Sequence, residues 1–293
     1  MQHRTVRQMC LNNFIIKRFV VITFVEAAKL HRSRSCCKFA DRIMQTPCID
    51  TFDFPDSILA GSARRGDVTD ASDPYAGFSL CHYTGDSPAR VETARKSLAR
   101  WAGIETADII VPRQTHGTRV AVIDRLPADS SVLDDADAVV TTLTDVLIGV
   151  NTADCVPVVL ADASTGIIAA AHAGWRGAVA GITDCTVDCM TQLGATAGNI
   201  RAVMGPCIGV ECFEVGEEVA ARFPEQFINR SFGPKPHVDL PAFVAWKLAG
   251  KGIPPRNIVL PAACTRCNPS RYFSARAAGI KSGRNFTFIM MKG

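Results

Sequence analysis

The 293-residue chain lacks long apolar runs. The run at residues 19–25 is far shorter than the roughly 20 apolar residues that cross a bilayer as a helix. Internal repeats, low-complexity linkers and any shift in composition after residue 50 are also missing. A hydrophobic content of 47% with 20% charged residues is ordinary for a globular protein. We therefore expect one folded domain with no membrane partner.

Excess charge of one sign is missing beyond the N-terminal segment. Residues 1–43 carry 9 lysine and arginine side chains against 2 acidic ones, whereas residues 44–293 carry 23 against 26. A slightly acidic body has no field that would attract nucleic acid. Nucleic acid is therefore not an expected partner.

Three hypotheses explain the basic segment at residues 1–43. It is a targeting sequence, a disordered basic tail, or an extension upstream of a true start at Met44. Domain-like patterning begins only near Asp50. We predict that residues 1–43 are an N-terminal extension outside the fold and that residues 44–293 are the folded, functional domain.

The 12 cysteines lack the pattern of a disulfide framework. Nine of them, an odd number, lie in residues 44–293, and a body of this size does not need disulfides. Cys185 and Cys189 belong to an apolar stripe with helical spacing, which predicts packed thiols. Cys264 and Cys267 form a lone CxxC pair, which favours a structural or incidental role. This mixture indicates a reducing compartment, and we expect a cytoplasmic protein.

Helical and strand patterns follow one another from about residue 50. The segment 162–166 has the composition of a hairpin turn between two apolar strands. Hairpin-connected strands flanked by helices favour an α+β fold, a single layered α/β domain with mixed sheets, over a strictly parallel sheet. Helices are predicted at 87–103, 177–193, 217–222 and 242–249, and strands at 109–113, 119–123, 137–141, 146–151, 156–161, 167–172, 200–204, 257–261 and 286–291.

Histidine is scarce, and two of the four histidines beyond residue 43 stand where a predicted strand ends. His116 lies in QTHG, and His172 ends an apolar run in GIIAAAHAGWRG. Cys155, in NTADCVPVVL, stands in the break between two strands. Two imidazoles and a thiolate suit Zn²⁺, with Cu²⁺ as the less suitable alternative. Three protein ligands leave a fourth position for water or substrate, as in catalytic zinc sites.

The same residues allow a different chemistry. Cys155 is also suited to be the nucleophile of a hydrolase, with His172 or His116 as its base. Only metal content separates the two hypotheses. The neighbouring Asp154 either orients a ligand or caps a turn.

Arginines near these strand ends are candidates for binding phosphate. Arg176 stands at a predicted helix N-terminus, a natural anion site, and its alternative role is stacking on Trp175. Further candidates for binding phosphate or a substrate hydroxyl are Arg64, Arg113 and Arg276.

Together these motifs resemble the YfiH or laccase-domain family. His116 in QTHG, Cys155 in TADCVPVVL and His172 in HAGWRG carry the resemblance, with GPCIGVECFEVG at 205–216 and the C-terminal CTRC…FSAR…GR pattern. The resemblance covers roughly residues 58–291. Members of the family were first described as polyphenol oxidases, and are now described as purine nucleoside phosphorylases that also deaminate adenosine.

The resemblance implies a single α/β domain with zinc held by His116, Cys155 and His172, which are also the family's catalytic residues. It implies a zinc-dependent purine nucleoside phosphorylase that acts on adenosine, inosine, guanosine and S-methyl-5′-thioadenosine, with adenosine deaminase side activity. Its partners are then purine nucleosides and phosphate. Further residues implied at the pocket are Gln114, beside the metal, and Arg176, Ser274 and Arg276.

Other functions stay open. Copper-dependent polyphenol oxidation needs many histidine ligands, and residues 44–293 offer four. A cysteine or metal hydrolase that edits peptidoglycan precursors would use the same site residues. A non-enzymatic metal-binding protein is disfavoured, because a structural domain has no use for such convergent polar residues. The H-x-E and P-C-x-x-C motifs of zinc deaminases are absent, so these motifs identify no proton shuttle, and Glu214 is the candidate for that role.

Overall fold

Two mixed β-sheets lie face to face, and each carries helices on its outer side. The structure is a computed structural model, which describes residues 46–68, 70 and 72–293. It confirms the α+β prediction of one layered domain with mixed sheets. The strands, numbered in chain order, are β1 Ile49–Thr51, β2 Ile58–Ala63, β3 Ile109–Ile110, β4 Val120–Ile123, β5 Ala138–Thr141, β6 Leu147–Thr152, β7 Val156–Asp162, β8 Ile167–Ala173, β9 Arg201–Met204, β10 Ile228–Asn229, β11 His237–Val238, β12 Ile258–Val259 and β13 Asn285–Met291.

The strands form three sheets. The order is β1-β2-β13-β6-β3 in a five-stranded sheet and β12-β9-β7-β8-β5-β4 in a six-stranded one, while β10 and β11 form a small antiparallel pair. Three neighbour pairs are parallel: β3 with β6, β4 with β5, and β9 with β12. The predicted turn at 162–166 joins β7 to β8 as an antiparallel hairpin.

Apolar layers hold the sheets and helices together. Val150 and Ile289 of the five-stranded sheet pack against Val159 and Ile168 of the six-stranded sheet. Each large side chain that is fully buried contributes about 1.5–3 kcal/mol. The helices are α1 Pro88–Ala102, α2 Ser130–Leu133, α3 Trp175–Ala180, α4 Ile182–Gln192, α5 Glu217–Ala220, α6 Leu240–Gly250 and α7 Ala275–Ala278. Helix α1 covers the outer face of the five-stranded sheet, and α4 and α6 cover that of the six-stranded sheet.

The single helix predicted at 177–193 is wrong. Helix α3 begins earlier, at Trp175, and the chain breaks at Gly181 before α4 begins. Gly181 has φ of 100°, a left-handed conformation that glycine adopts without the clash of a Cβ. The predicted apolar stripe does not form, because Cys185 is exposed and Cys189 is half-buried. The buried residues of α4 are instead Ile182, Thr183, Thr186, Val187 and Met190.

The other predicted elements are present, mostly within two residues of their predicted ends. The strand predicted at 109–113 is shorter, as β3, and β1, β2, β10 and β11 were not predicted. The 9 cysteines among the described residues are free thiols. Within the same part of the chain, no helix combines the length and apolar character needed to span a bilayer. Residues 1–43 lie outside the described residues, so their separation from the catalytic domain stays a prediction.

Candidate metal and active site

The register of three neighbouring strands brings Asp137, Cys155 and His172 to one end of the six-stranded sheet. Strands β7 and β8 pair with Pro157 opposite His172, so Cys155, just before β7, lies beside the end of β8. Strand β5 flanks β8 on its other side, and the backbone N–H of His172 donates to the carbonyl of Asp137 at 2.7 Å. The three side chains are far apart in sequence and meet because of this pairing.

His116 reaches the same place from a turn that the Asp137 carboxylate holds. The φ of His116 is 65°, an uncommon left-handed conformation for a residue with a side chain. The backbone N–H groups of Thr115, His116 and Gly117 donate to the carboxylate of Asp137 at 3.2, 2.9 and 2.7 Å. Asp137 is fully buried, and these donors offset the cost of burying its charge. One carboxylate thus fixes the loop that presents His116.

Asp137 also orients the imidazole of His172. Oδ1 of Asp137 lies 2.8 Å from Nδ1 of His172, and both side chains are buried. With Nδ1 occupied, Nε2 is the ring nitrogen left to interact with Cys155. A carboxylate on the outer nitrogen is the usual support of a histidine that binds a metal.

The donor atoms of His116, Cys155 and His172 lie within 4.8 Å of one another. Sγ of Cys155 is 3.8 Å from Nε2 of His116, and the two imidazole centroids are 4.7 Å apart at an interplanar angle of 78°. Two ligands of one tetrahedral zinc lie roughly 3.3–3.8 Å apart, given Zn–N near 2.0 Å and Zn–S near 2.3 Å. The donor set, its spacing and the carboxylate behind His172 therefore fit a metal ion.

In the metal-free protein, Cys155 and His172 form a thiolate–imidazolium pair. Burial raises the pKa of Cys155, but the His172 charge and hydrogen bonds from both histidines outweigh it and lower the pKa to about 6. Burial lowers the pKa of His172, but the Cys155 thiolate and the Asp137 carboxylate outweigh it and raise the pKa to about 9. Burial also raises the pKa of Asp137, and hydrogen bonds from His172 and the turn amides hold it below its ordinary value.

We expect Cys155 of the metal-free protein to react with iodoacetamide from about pH 6 upward, because the thiolate is the nucleophile. Cys189, whose pKa is raised by burial, should react slowly over the same range. Peptide-resolved mass spectrometry of alkylation rates at a series of pH values measures both, and added Zn²⁺ should protect Cys155. A Cys155 rate that follows the Cys189 rate at every pH would contradict the thiolate–imidazolium pair.

Gly174 allows the chain to pass close to two of the donor residues. A Cβ on Gly174 would lie 2.7 Å from Cδ2 of His116 and 3.0 Å from Sγ of Cys155. Real Cβ atoms do not approach other atoms so closely, so any larger side chain would move one of the donors. The first glycine of HAGWRG is thus needed for the geometry of the site.

Gly174→Ala is expected to weaken metal binding by about tenfold or more, while the overpacking costs about 1–3 kcal/mol of stability. Calorimetric titration of metal-free protein with Zn²⁺ measures the first effect, and thermal unfolding measures the second. Gly198→Ala is the control, because a Cβ there meets no atom within 4 Å. Unchanged zinc affinity in Gly174→Ala would show that the donors do not depend on this contact.

Gln114 and Asp154 tie the site loops to the surrounding chain. The Gln114 amide clamps the backbone of Asn151, donating to its carbonyl at 2.7 Å and accepting from its N–H at 2.8 Å. Asp154, with φ of 93°, accepts from Oγ1 of Thr265 at 2.6 Å and from the backbone N–H of Arg276 at 2.7 Å. Neither of the two roles predicted for Asp154 describes these contacts, since it joins the turn before Cys155 to the C-terminal loops.

Arg176 lies at the start of α3, two residues after Gly174. Its guanidinium stacks on Trp175, with Cζ 4.4 Å from the ring centroid. The side chain is exposed, and it makes no hydrogen bond or ion pair among the described residues. The stacking alternative is therefore realised, and the donors of the guanidinium stay available for an anion.

Two other candidate arginines have protein partners. Arg64 is paired with Asp50, and its Nε donates to Oδ1 at 2.8 Å. Arg64 and Asp50 line a cavity of about 480 Å³, and none of His116, Cys155 and His172 is among its lining residues. The guanidinium of Arg276 donates to the carbonyl oxygens of Cys212 and Glu214 at 3.3 and 3.0 Å. Neither guanidinium is as available for phosphate as that of Arg176.

Ser274 and Glu214 have structural contacts. Ser274 is buried and caps α7, accepting from the backbone N–H of Ala277 at 3.2 Å. The half-buried Glu214 lies 3.3 Å from Nζ of Lys235. The contact with Lys235 gives no support to a role of Glu214 in proton transfer.

Asp137 is a site residue that the sequence motifs do not single out. A signal exists, because Asp137 directly precedes the apolar strand β5, and a charge at the start of a buried strand needs partners. The identity of those partners becomes visible only once β5 and β8 are paired.

A family model described as "Multi-copper polyphenol oxidoreductase laccase" matches residues 59–292. Because this match covers most of the chain, the protein belongs to that family. The resemblance predicted from the motifs is confirmed.

Curated relatives carry names from nucleoside metabolism. "Adenosine deaminase RL5", from an unknown prokaryotic organism, is 43% identical over 260 residues, which cover 83% of this chain and 99% of that protein. "Purine nucleoside phosphorylase" of Bacteroides thetaiotaomicron is 33% identical over 244 residues, covering 78% and 90%. Both similarities support an enzyme of nucleoside processing.

Solved structures share the fold. The hypothetical protein YfiH of Bacillus licheniformis superposes with a TM-score of 0.78 at 25% identity, covering 85% of this chain and 98% of that chain. Protein NMB0706 of Neisseria meningitidis has a TM-score of 0.72 at 28% identity, covering 84% and 99%.

Proposed function

We propose that the protein is a zinc-dependent purine nucleoside phosphorylase that also deaminates adenosine. Its substrates would be adenosine, inosine, guanosine and S-methyl-5′-thioadenosine, with phosphate as the second substrate. The convergence of His116, Cys155 and His172, supported by Asp137, carries the proposal, and the names of the relatives supply the substrate class. The free cysteines agree with a reducing, cytoplasmic location.

The exposed and the buried residues of the site would have different roles. Bound zinc would supply Lewis-acid chemistry at the position that the three protein ligands leave open. His116 is exposed and His172 is buried, so the nucleoside would approach from the His116 side. Asp137 would accept a hydrogen bond from the Nδ1–H of His172 and keep Nε2 directed at the site. It acts through His172 and is a positioning residue.

Phosphorolysis needs an anion held beside the nucleoside. An oxygen of hydrogen phosphate bonds to C1′ as the bond from C1′ to the purine nitrogen breaks. The proton of hydrogen phosphate passes to the purine, giving ribose 1-phosphate and the free base. Arg176 is the first choice for holding this phosphate, because its guanidinium is exposed, stacked on Trp175 and without another partner. Charge-assisted hydrogen bonds from arginine to phosphate are among the strong ones.

We expect Arg176→Met to raise KM for phosphate about tenfold or more in phosphorolysis and to leave adenosine deamination nearly unchanged. Tenfold corresponds to about 1.4 kcal/mol, a modest loss for a charge-assisted bond. Steady-state kinetics of both reactions on one preparation measure the split. Arg256→Met, at another exposed arginine, is the control. An equal loss in both reactions would assign Arg176 to nucleoside binding or to stability instead.

The proposed function is tested by incubating purified, zinc-loaded protein with inosine or adenosine, with and without phosphate. Phosphate-dependent release of hypoxanthine or adenine, followed by chromatography, supports phosphorolysis. Ammonia and inosine formed from adenosine without phosphate support deamination. Absence of both reactions would refute the proposal.

A cysteine hydrolase is the second candidate, because one observation favours it. Cys155, His172 and Asp137 stand in the order of nucleophile, base and orienting carboxylate. The thiolate–imidazolium pair of the metal-free site would serve this chemistry directly. Its substrate would be an amide bond, such as one in a peptidoglycan precursor.

Polyphenol oxidation, the activity in the family description, receives less support. Multicopper chemistry needs many histidine ligands, and the described part of the chain has four histidines. Only His116 and His172 belong to a group of metal-type residues there. His237 is instead hydrogen-bonded to the carbonyl of Val210 at 3.0 Å.

A further inference from the structure

Three cysteines from two separate loops form a second group of metal-type residues, distinct from the His116–Cys155–His172 group. Cys212 follows β9, and Cys264 and Cys267 form the CxxC pair between β12 and α7. Their sulfur atoms lie within 4.8 Å of one another, and those of Cys212 and Cys267 are 3.3 Å apart. We call these three residues the thiol cluster.

Two hydrogen-bond donors lie beside sulfur atoms of the thiol cluster. The backbone N–H of Gly209 donates to Sγ of Cys264 at 3.2 Å, and Nη1 of Arg266 lies 3.7 Å from Sγ of Cys212. One arginine charge would balance the net single negative charge of three thiolates around a divalent ion. Cys212 and Cys264 are half-buried, and Cys267 is exposed, so an ion can enter from solvent.

The number of converging sulfurs distinguishes a metal site from a disulfide. A disulfide joins two sulfurs at about 2.05 Å and would leave the third thiol without a function. Sulfurs on one tetrahedral zinc lie roughly 3.8 Å apart, given Zn–S near 2.3 Å, a spacing that the whole cluster can reach with small shifts. Thiolate ligands select soft ions such as Zn²⁺ and Cu⁺.

The thiol cluster is linked to the turn that carries Cys155. Thr265, within the CxxC pair, donates to Asp154 at 2.6 Å. Arg276 donates its backbone N–H to the same carboxylate and its guanidinium to the carbonyl of Cys212. Both loops of the cluster therefore converge on Asp154, the residue before Cys155.

We propose that Cys212, Cys264 and Cys267 bind a thiophilic metal ion, Zn²⁺ or Cu⁺, that clasps these two loops beside the Asp154–Cys155 turn. The donor residues of this site are distinct from the His116–Cys155–His172 group. The proposal does not depend on the reaction that the protein catalyses.

The test uses the full chain with Cys155→Ala, which removes a ligand of the other site. Elemental analysis for zinc and copper after reconstitution measures the metal content of the cluster. The thiolate-to-metal absorption of the Co²⁺-loaded protein shows whether cysteines bind the ion. We expect one ion per chain and a band typical of several thiolates. Adding Cys212→Ser or Cys267→Ser should remove both, whereas Cys185→Ser, at an exposed cysteine on α4, should change neither.

Hydrogen exchange supplies a readout that needs no cluster variant. Zn²⁺ added to the Cys155→Ala protein should slow amide exchange at 209–214 and 264–267 and leave α1 unchanged. The proposal is overturned if this protein binds no metal, or if its metal content is indifferent to Cys212→Ser and Cys267→Ser. A Cys212–Cys267 disulfide recovered from protein purified under reducing conditions would also overturn it, in favour of a redox-active pair.

Discussion

Asp137→Asn is expected to lower zinc affinity and nucleoside activity by about 10- to 100-fold. The carboxylate accepts four hydrogen bonds, from His172 and from the three amides of the His116 turn. Asparagine has one acceptor oxygen, and its NH₂ group would face donors. Both histidines would then lose their orientation at once. Zinc titration of the metal-free variant and steady-state kinetics measure the two losses.

A matched control separates this effect from a general loss of stability. Asp162 is another buried aspartate that holds turns, accepting from the backbone N–H groups of Ser164 and Thr196 at 3.0 and 2.9 Å. Asp162→Asn and Asp137→Asn should both cost about 1–3 kcal/mol, because each leaves buried donors unpaired. Only Asp137→Asn should lose zinc. Equal zinc affinity in the two variants would show that Asp137 does not support zinc binding.

The fold was largely predictable because burial leaves a clear pattern in this chain. Strands β7 and β8 are apolar at nearly every position, and the turn between them is rich in small and polar residues. The break at Gly181 was not predictable from the apolar pattern, which continues across it. A glycine inside a helical pattern is ambiguous until its φ is known.

The three donors of the candidate site were predictable from the sequence as a group, but the carboxylate that supports them was not. His116, Cys155 and His172 each end or precede a predicted strand, and the register of β7 and β8 brings two of them together. Asp137 looks like an ordinary strand start in the sequence. Its four hydrogen bonds depend on pairings between segments 20 to 35 residues apart, which no local pattern contains.

The arginines show the same limit of local patterns. Arg64 is a predicted candidate for binding phosphate, yet Asp50 on the neighbouring strand β1 pairs with it. Arg276 stands in FSAR, yet its guanidinium binds backbone carbonyls of the 212–214 loop. Sequence spacing identifies residues that can bind phosphate, and the partners in the fold decide which of them are available.

Removal of the metal should decide between the phosphorylase and the hydrolase, with the largest effect of all. We expect a chelator to lower kcat/KM for inosine phosphorolysis by roughly 1000-fold or more, about 4 kcal/mol of transition-state stabilisation, and Zn²⁺ to restore it. Cys155→Ala should cause a loss of the same size. Cys185→Ser, which changes an exposed thiol outside both cysteine-containing clusters, should keep its activity.

The hydrolase hypothesis predicts a different pattern, because zinc binding and nucleophilic attack would use the same sulfur atom of Cys155. Chelation would free the Cys155 thiolate, so a cysteine hydrolase would stay active or gain activity without zinc, and iodoacetamide would abolish it. Under the phosphorylase hypothesis, zinc-loaded protein resists iodoacetamide at Cys155 and the metal-free protein is inert toward nucleosides. Nucleoside cleavage that survives both chelation and Cys155→Ala would contradict both hypotheses.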